Sequence, residues 1–302
     1  MHILQILLSP PVMGILALFL SAIWMLRDPK DKTRPLLVFA LVLNLFYGFL
    51  LTTTMSREGG IFPWKFDHIL FCVDRSLGLQ AAAVARPLQG VMRVPLWIVY
   101  QLMVPMMIAW FLVTSYRKPR TSIVLAYVAE LVAGPLLYSL MPACGPIYAF
   151  GKQWLHPPVT QPDIIRLAGM PNAFPSLHVG TAFLFLLFAP GKLWKAVAFV
   201  FLSLTCLATL STGEHYVIDL IPGLAFGAFA AAVGSKDRKQ ALLFLSTVLA
   251  WSLVMRFASS ILINFPLITR SFAAVTIALA VFALWKQWRA QASPAHEASP
   301  AH

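Results

Sequence analysis

Asn172-Ala173-Phe174-Pro175-Ser176-Leu177-His178 sets a proline, a hydroxyl and an imidazole at the point where a long apolar run begins. One hydrophobic hairpin later comes a second polar lip, Ser211-Thr212-Gly213-Glu214-His215-Tyr216-Val217-Ile218-Asp219. His215 and Asp219 are four apart, which on a helix puts them on one face, one turn from each other. A carboxylate so placed holds the imidazole N–H, fixes its tautomer and raises the basicity of the other nitrogen, as a histidine nucleophile or base requires. The plainer reading is a His–Asp hydrogen bond that staples two helices. Pro175 and Ser176 predict a helix start, with unpaired backbone N–H groups and the positive end of the helix dipole, a natural seat for an anion such as phosphate. His178 stands one turn in, able to donate a proton to that anion; the plainer reading is a Ser N-cap and a satisfied histidine. Gly213 lets the chain approach a ligand closely.

Outward from the lips, the composition is that of a membrane protein. Of 302 residues, 59% are hydrophobic and 11% charged, with mean hydropathy +0.78, whereas globular chains carry about 25% charged residues. The formal net charge is +12, but the basic residues sit in short loops between apolar runs. That is the positive-inside pattern of a bilayer protein, not a nucleic-acid footprint. Cys72, Cys144 and Cys206 have neither metal-ligand spacing nor the density of a disulfide framework. Cys206 reads as core packing. Cys72 and Cys144 fall on one side, which leaves a single disulfide open in an oxidising compartment. The apolar run from Ile3 to Leu26 is too long for a secretory h-region and lacks a basic n-region, so it reads as a retained helix.

Apolar windows predict an all-α polytopic bundle of about nine spans, with seven to nine compatible, at 3–26, 35–54, 95–116, 121–140, 177–190, 193–211, 216–233, 240–259 and 267–287. Arg27, Lys30, Lys32, Arg34, Arg117, Lys118, Arg120, Lys192, Lys195, Lys236, Arg238, Lys239, Lys286 and Arg289 mark one face as cytoplasmic. Both lips then fall on the extracytoplasmic face. Four regions result: N-terminal helices 1–116 with an outer interfacial segment 55–94, a core 117–234, C-terminal helices 235–290 and a disordered tail 291–302. In segment 55–94, Asp67, His68, Asp74 and Arg75 read as a solvated face. The outer segment 141–177 is rich in proline and aromatics, which anchor an interface or shape a lid. Glu130 reads as a buried residue packed against a Tyr or Ser, Gly223-x-x-x-Gly227 as a small-residue helix contact, and Asn44 and Asn264 as interhelical hydrogen bonders.

Pro175-Ser176-Leu177-His178 followed by Gly213-x-His215-x-x-x-Asp219 resembles the type 2 phosphatidic acid phosphatase superfamily. Within it, Phe174 to His178 and His215-Tyr216-Val217-Ile218-Asp219-Leu220-Ile221 most resemble the branch containing inositol phosphorylceramide synthases. The resemblance implies a phosphohistidine mechanism without metal or other cofactor on a phospholipid or lipid phosphate: His215 attacks phosphorus, Asp219 orients it, and His178 protonates the leaving oxygen. Ser176 and nearby amides, with Gly213 beside them, hold the phosphoryl oxygens. The acceptor is water, giving a phosphatase of phosphatidate or polyprenyl diphosphate type, or another alcohol, giving a transferase. Two departures stand out. The family's arginine six residues before the second histidine is Thr209 here, and the only Arg-Pro in an outer segment that could match its Lys-x6-Arg-Pro motif is Arg86-Pro87, which has Leu79 at the lysine position and lies two spans too early. Arg166 and Lys152 are the candidate substitutes, and the synthase branch shares the departures. The compact loops point to a bacterial inner membrane with the site facing the periplasm. The rival readings are a metal site of His178, His215 and Asp219, and a transporter or lipid-binding protein whose buried His and Asp relay protons or staple helices.

Overall fold

Runs of Leu, Ala, Val and Phe with almost no charge leave the backbone only itself to bond with, and in lipid that means helix. The computed structural model describes residues 50–115 and 121–292, and it is mostly helical. After a helical stretch at 50–61 come α1 (Asp67–Leu77), α2 (Ala81–Ala85), α3 (Arg93–Gln101), α4 (Met103–Ser115), α5 (Thr121–Leu140) and α6 (Pro146–Phe150). Then follow α7 (Leu177–Phe188), α8 (Gly191–Ser211), α9 (Val217–Gly234), α10 (Arg238–Phe257), α11 (Ser259–Asn264) and α12 (Pro266–Ala292). Among the described residues the one exception to an all-helical reading is a two-residue antiparallel ribbon, β1 (Trp64–Lys65) against β2 (Ile165–Arg166), with Trp64 opposite Arg166. It ties the two outer segments together.

The span count differs from the sequence expectation. Five described helices are long and apolar enough to cross a bilayer: Ser122–Leu140, Gly191–Ser211, Val217–Gly234, Arg238–Phe257 and Pro266–Gln291. The expected spans at 3–26 and 35–54 lie outside the described residues, except 50–54, which begin the helical stretch. The expected span 95–116 is the pair α3–α4, bent by 56°. Pro105 explains the break, because it has no N–H to give the carbonyl four residues earlier, that of Gln101. The expected span 177–190 is α7, only 12 residues long. At 1.5 Å per residue that is about 18 Å, against a hydrocarbon core of about 30 Å.

A helix that stops inside a bundle leaves its last carbonyls unpaired, and this one borrows partners. Trp110 Nε1 on α4 donates to Phe185 O (2.8 Å), and Trp288 Nε1 and Gln291 Nε2 on α12 donate to Leu186 O and Leu187 O (both 3.2 Å). Side chains from two neighbours thus replace the missing turn. Around it a core forms from Trp110, Phe111, Tyr127, Phe183, Phe185 and Phe226. A second cluster, with Phe66, Leu70, Phe174, Tyr216 and Trp251, lies under the lips.

Helices α7 and α9 approach so closely that their backbones touch. A Cβ on Gly223 would lie 2.7 Å from Ser176 O, and one on Gly227 2.3 Å from Gly180 O. The Gly223-x-x-x-Gly227 repeat is therefore a helix contact, and its purpose is to bring Ser176 at the head of α7 against the first turns of α9. Gly227→Ala gains helix propensity but must push the helices apart. The expected net loss is about 1–3 kcal/mol, read as a lower melting temperature in detergent. Gly60→Ala, which meets nothing within 4 Å, is the control and should melt like the wild type.

Candidate functional site

The two lips meet through the backbone before any side chain is considered. Ser176 N donates to Asp219 O at 3.1 Å, so the amide expected to be free for an anion is already paired. Ser176 is the N-cap of α7, and its Oγ accepts from Val179 N at 3.4 Å. Asn172 N and Ala173 N both donate to Ala143 O at 3.0 Å, which fixes the first lip against the loop after α5.

His215 is fully buried, and its surroundings define its tautomer. Nδ1 lies 2.9 Å from Ala173 O, an atom that can only accept, so Nδ1 carries the hydrogen. Nε2 is then the lone-pair nitrogen, and it faces Ser176 Oγ at 3.4 Å. Asp219 Oδ2 stands 3.5 Å from Nδ1 but accepts from Tyr216 N at 2.8 Å. The expectation that the two share a helical face is corrected here. α9 begins at Val217 with Tyr216 as its N-cap, so His215 precedes the helix and Asp219 sits in its first turn. The Ala173 carbonyl, not the carboxylate, is the nearer acceptor for the imidazole. Asp219 Oδ1 is buried and has no partner among the described residues.

His178, in the first turn of α7, meets His215 edge to face at 5.9 Å between ring centroids. Its other face is stacked on Tyr100 of α3 at 4.2 Å and 22°. The bend between α3 and α4 therefore has a role at the site: it separates the helix carrying Tyr100 from the one carrying Trp110. Glu214 is held by Tyr148 Oη (3.1 Å) and Asn172 Nδ2 (3.2 Å), which closes the rim between α6 and both lips.

The remaining candidates are placed differently. Gly213 has φ +76°, a left-handed conformation, and a Cβ there would strike Ile147 and Trp154 at 3.0–3.2 Å. Its need for glycine thus comes from packing under α6. Arg166 lies on β2 and Lys152 in the turn after α6. Both are exposed, and neither has a hydrogen bond or ion pair among the described residues. Cys72 and Cys144 are separate free thiols, Cys72 Sγ lying 3.5 Å from Thr160 O. Glu130 Oε2 accepts from Thr181 Oγ1 at 3.1 Å, a partner that is neither the Tyr nor the Ser expected. Among the described residues no group of three or more His, Cys, Asp or Glu side chains is gathered around a cation position.

The segment 55–94 holds the largest correction. Asp67 and Asp74 are not a solvated face but fully buried. Asp67 accepts from Gly145 N (2.7 Å), Cys144 N (3.1 Å) and Tyr216 Oη (3.1 Å). Asp74 accepts from Ile218 N (2.8 Å), Val217 N (3.0 Å) and Ala81 N (3.4 Å). Seven residues apart, they occupy one face of α1, and that i, i+7 spacing was the signal available in the sequence. Burial pushes Asp67 up to about 6, against the pull of its three donors and of Lys65. Burial also raises Asp74, as Asp219 does to a smaller degree, while three N–H donors oppose it. Every contact of Asp74 is an N–H aimed at an oxygen, which is the pattern of a carboxylate.

Fold and site together define an apolar helical protein of the bilayer whose two histidines meet where two buried loops join. The chain belongs to the PAP2 superfamily, whose family profile matches residues 68–233, more than half of its length. Members are typically phosphatases, and membership suggests a phosphatase or phosphotransferase of lipid phosphates. No curated protein and no solved structure matches the chain.

Burial depresses His215 to about 4 from an ordinary value of 6.5, with Glu214 and the Ala173 carbonyl pulling the other way. Between those values the unfolded chain binds a proton that the folded one refuses, so stability falls as pH falls from 6.5 towards 4. Thermal melts over that window should be steeper for wild type than for His215→Asn, which lacks the titrating group. Equal slopes would assign the acid sensitivity elsewhere.

Proposed function

We propose that the protein transfers a phosphoryl or phosphoalcohol group from a lipid phosphate or phospholipid through a phosphohistidine on His215, without a metal. The observation that carries this reading is the Nδ1 contact with Ala173 O, which leaves Nε2 unprotonated and turned towards Ser176 and the head of α7. The Nε2 lone pair attacks phosphorus, the bond to the leaving oxygen breaks, and His178 supplies that oxygen with a proton. Water or an alcohol then attacks phosphorus and gives its proton to His178; the new O–P bond forms as the P–N bond breaks, and its electron pair returns to Nε2 and frees His215. Asp219 backs the imidazolium-like character that develops at His215, and the Ser176 hydroxyl holds a phosphoryl oxygen. Lys152 and Arg166 are the cations offered to the headgroup.

Thr209 stands where phosphatases of the superfamily have an arginine, and this favours the branch resembling inositol phosphorylceramide synthases, with an alcohol acceptor. The basic loops favour an orientation with the lips on the extracytoplasmic face, the periplasmic one if the membrane is a bacterial inner membrane.

The test is release of phosphate or headgroup from lipid phosphates and phospholipids by purified protein in detergent with EDTA. Turnover should survive chelation. It should fall on the order of 10³-fold or more in His215→Ala, which removes the nucleophile, and about 10²–10⁴-fold in His178→Ala, which removes the acid. Full activity in His215→Ala, or its abolition by EDTA, overturns the mechanism.

A further inference from the structure

The motif residues do not position themselves. Within the second lip the histidine-bearing stretch 213–216 has no regular structure of its own, and the nearest helix, α9, starts only at Val217. What surrounds that start comes from far away in the chain. Asp74, 143 residues before Val217, takes the first two N–H groups of α9. A second carboxylate of the same helix face, Asp67, takes the hydroxyl of Tyr216, the residue next to the nucleophile. Asp67 also takes the two amides of Cys144 and Gly145, in the loop whose Ala143 carbonyl receives Asn172 and Ala173. Ala173 in turn supplies the carbonyl that fixes the His215 tautomer.

We infer that α1 is a two-point clamp for the catalytic centre, with Asp67 and Asp74 as positioning residues for His215. Asp74 sets where α9 begins, and so where His215 leaves it. Asp67 sets the loop that carries the first lip, and so where the acceptor of the Nδ1 hydrogen lies. Together they hold donor and acceptor from two sides of one hydrogen bond. The residue type follows from the task. All six partners are donors, so each position needs an acceptor on both oxygens, which a carboxylate provides and an amide does not. Asparagine would turn an –NH2 against at least one N–H or O–H. The helix that carries both groups packs on α9, α11 and α12, with Leu70, Val73 and Phe71 buried, so the clamp is anchored by apolar contact. Neither carboxylate belongs to the two histidine motifs.

This inference rests on the phosphohistidine reading, and the test keeps the two apart. Asp74→Asn, Asp67→Asn and Tyr216→Phe are made in the full-length chain beside wild type and His215→Ala. Folding is judged by circular dichroism and elution volume in detergent. Turnover of dioctanoyl phosphatidic acid is normalised to folded protein. The tautomer of His215 is read by nitrogen NMR of 15N-histidine-labelled protein, with the His215→Ala spectrum giving the assignment. For Asp74→Asn we expect kcat to fall by at least about tenfold with KM within about twofold, the signature of a misplaced rather than an unbound substrate. The same sample should lose the single Nδ1–H pattern. Tyr216→Phe, which deletes one hydroxyl and leaves the core filled, should give a smaller change of the same kind if Asp74→Asn does not fold. Wild-type turnover in the folded clamp variants, or lost turnover with an unchanged His215 signal, overturns the clamp. Turnover retained by His215→Ala overturns the phosphohistidine reading instead. The NMR comparison needs no turnover and decides the clamp in either case.

Discussion

Most buried polar groups of the two lips find their partners inside the protein, because the medium around the helices supplies none. That constraint explains the pairing that organises the molecule. The Ser176 amide goes to the Asp219 carbonyl, and the His215 N–H to the Ala173 carbonyl. The Val217 and Ile218 amides go to Asp74. Remove one and a buried donor or acceptor is left bare, at a cost of about 1–3 kcal/mol. The same rule operates at the other end of α7, where two indoles and an amide close carbonyls that a longer helix would have closed itself. Function and stability therefore draw on the same bonds here.

Much of this was legible in the sequence, and what was not has identifiable causes. Apolar runs announced most of the helices, because lipid-compatible composition permits little else. Ser176 announced the start of α7, and two histidines each beside a polar break announced that the lips belong together. The bend at Leu102 was not read, although Pro105 carries the signal. The pair Asp67 and Asp74 was read as solvated, because a carboxylate in a short amphipathic helix normally is. Apart from Ala81 N, the donors that make burial tolerable lie 70 to 150 residues away, and no local pattern reveals them. The Ala173 carbonyl was invisible for a deeper reason: a backbone acceptor leaves no mark on residue identity. What residue identity does show is the carboxylate four residues on, which is 3.5 Å away and otherwise engaged.

The glycine readings show the same division. Gly223 and Gly227 lie on a helix whose small-residue spacing is itself the signal, and they do bring two backbones together. Gly213 carries no such context. Beside a histidine it suggests room for a ligand, yet the room is taken by Trp154 and Ile147. A single glycine states that something comes close without stating what.

Two helices begin at this site, and their beginnings are electrically unlike. The start of α9 has Asp74 and Asp219 on its first amides, so its partial positive charge is largely cancelled. The start of α7 is capped by a neutral hydroxyl, and the far end of that helix is closed by neutral indole and amide groups that add no countercharge. A potential gradient thus runs across the few ångströms between the lips, from α9 to α7.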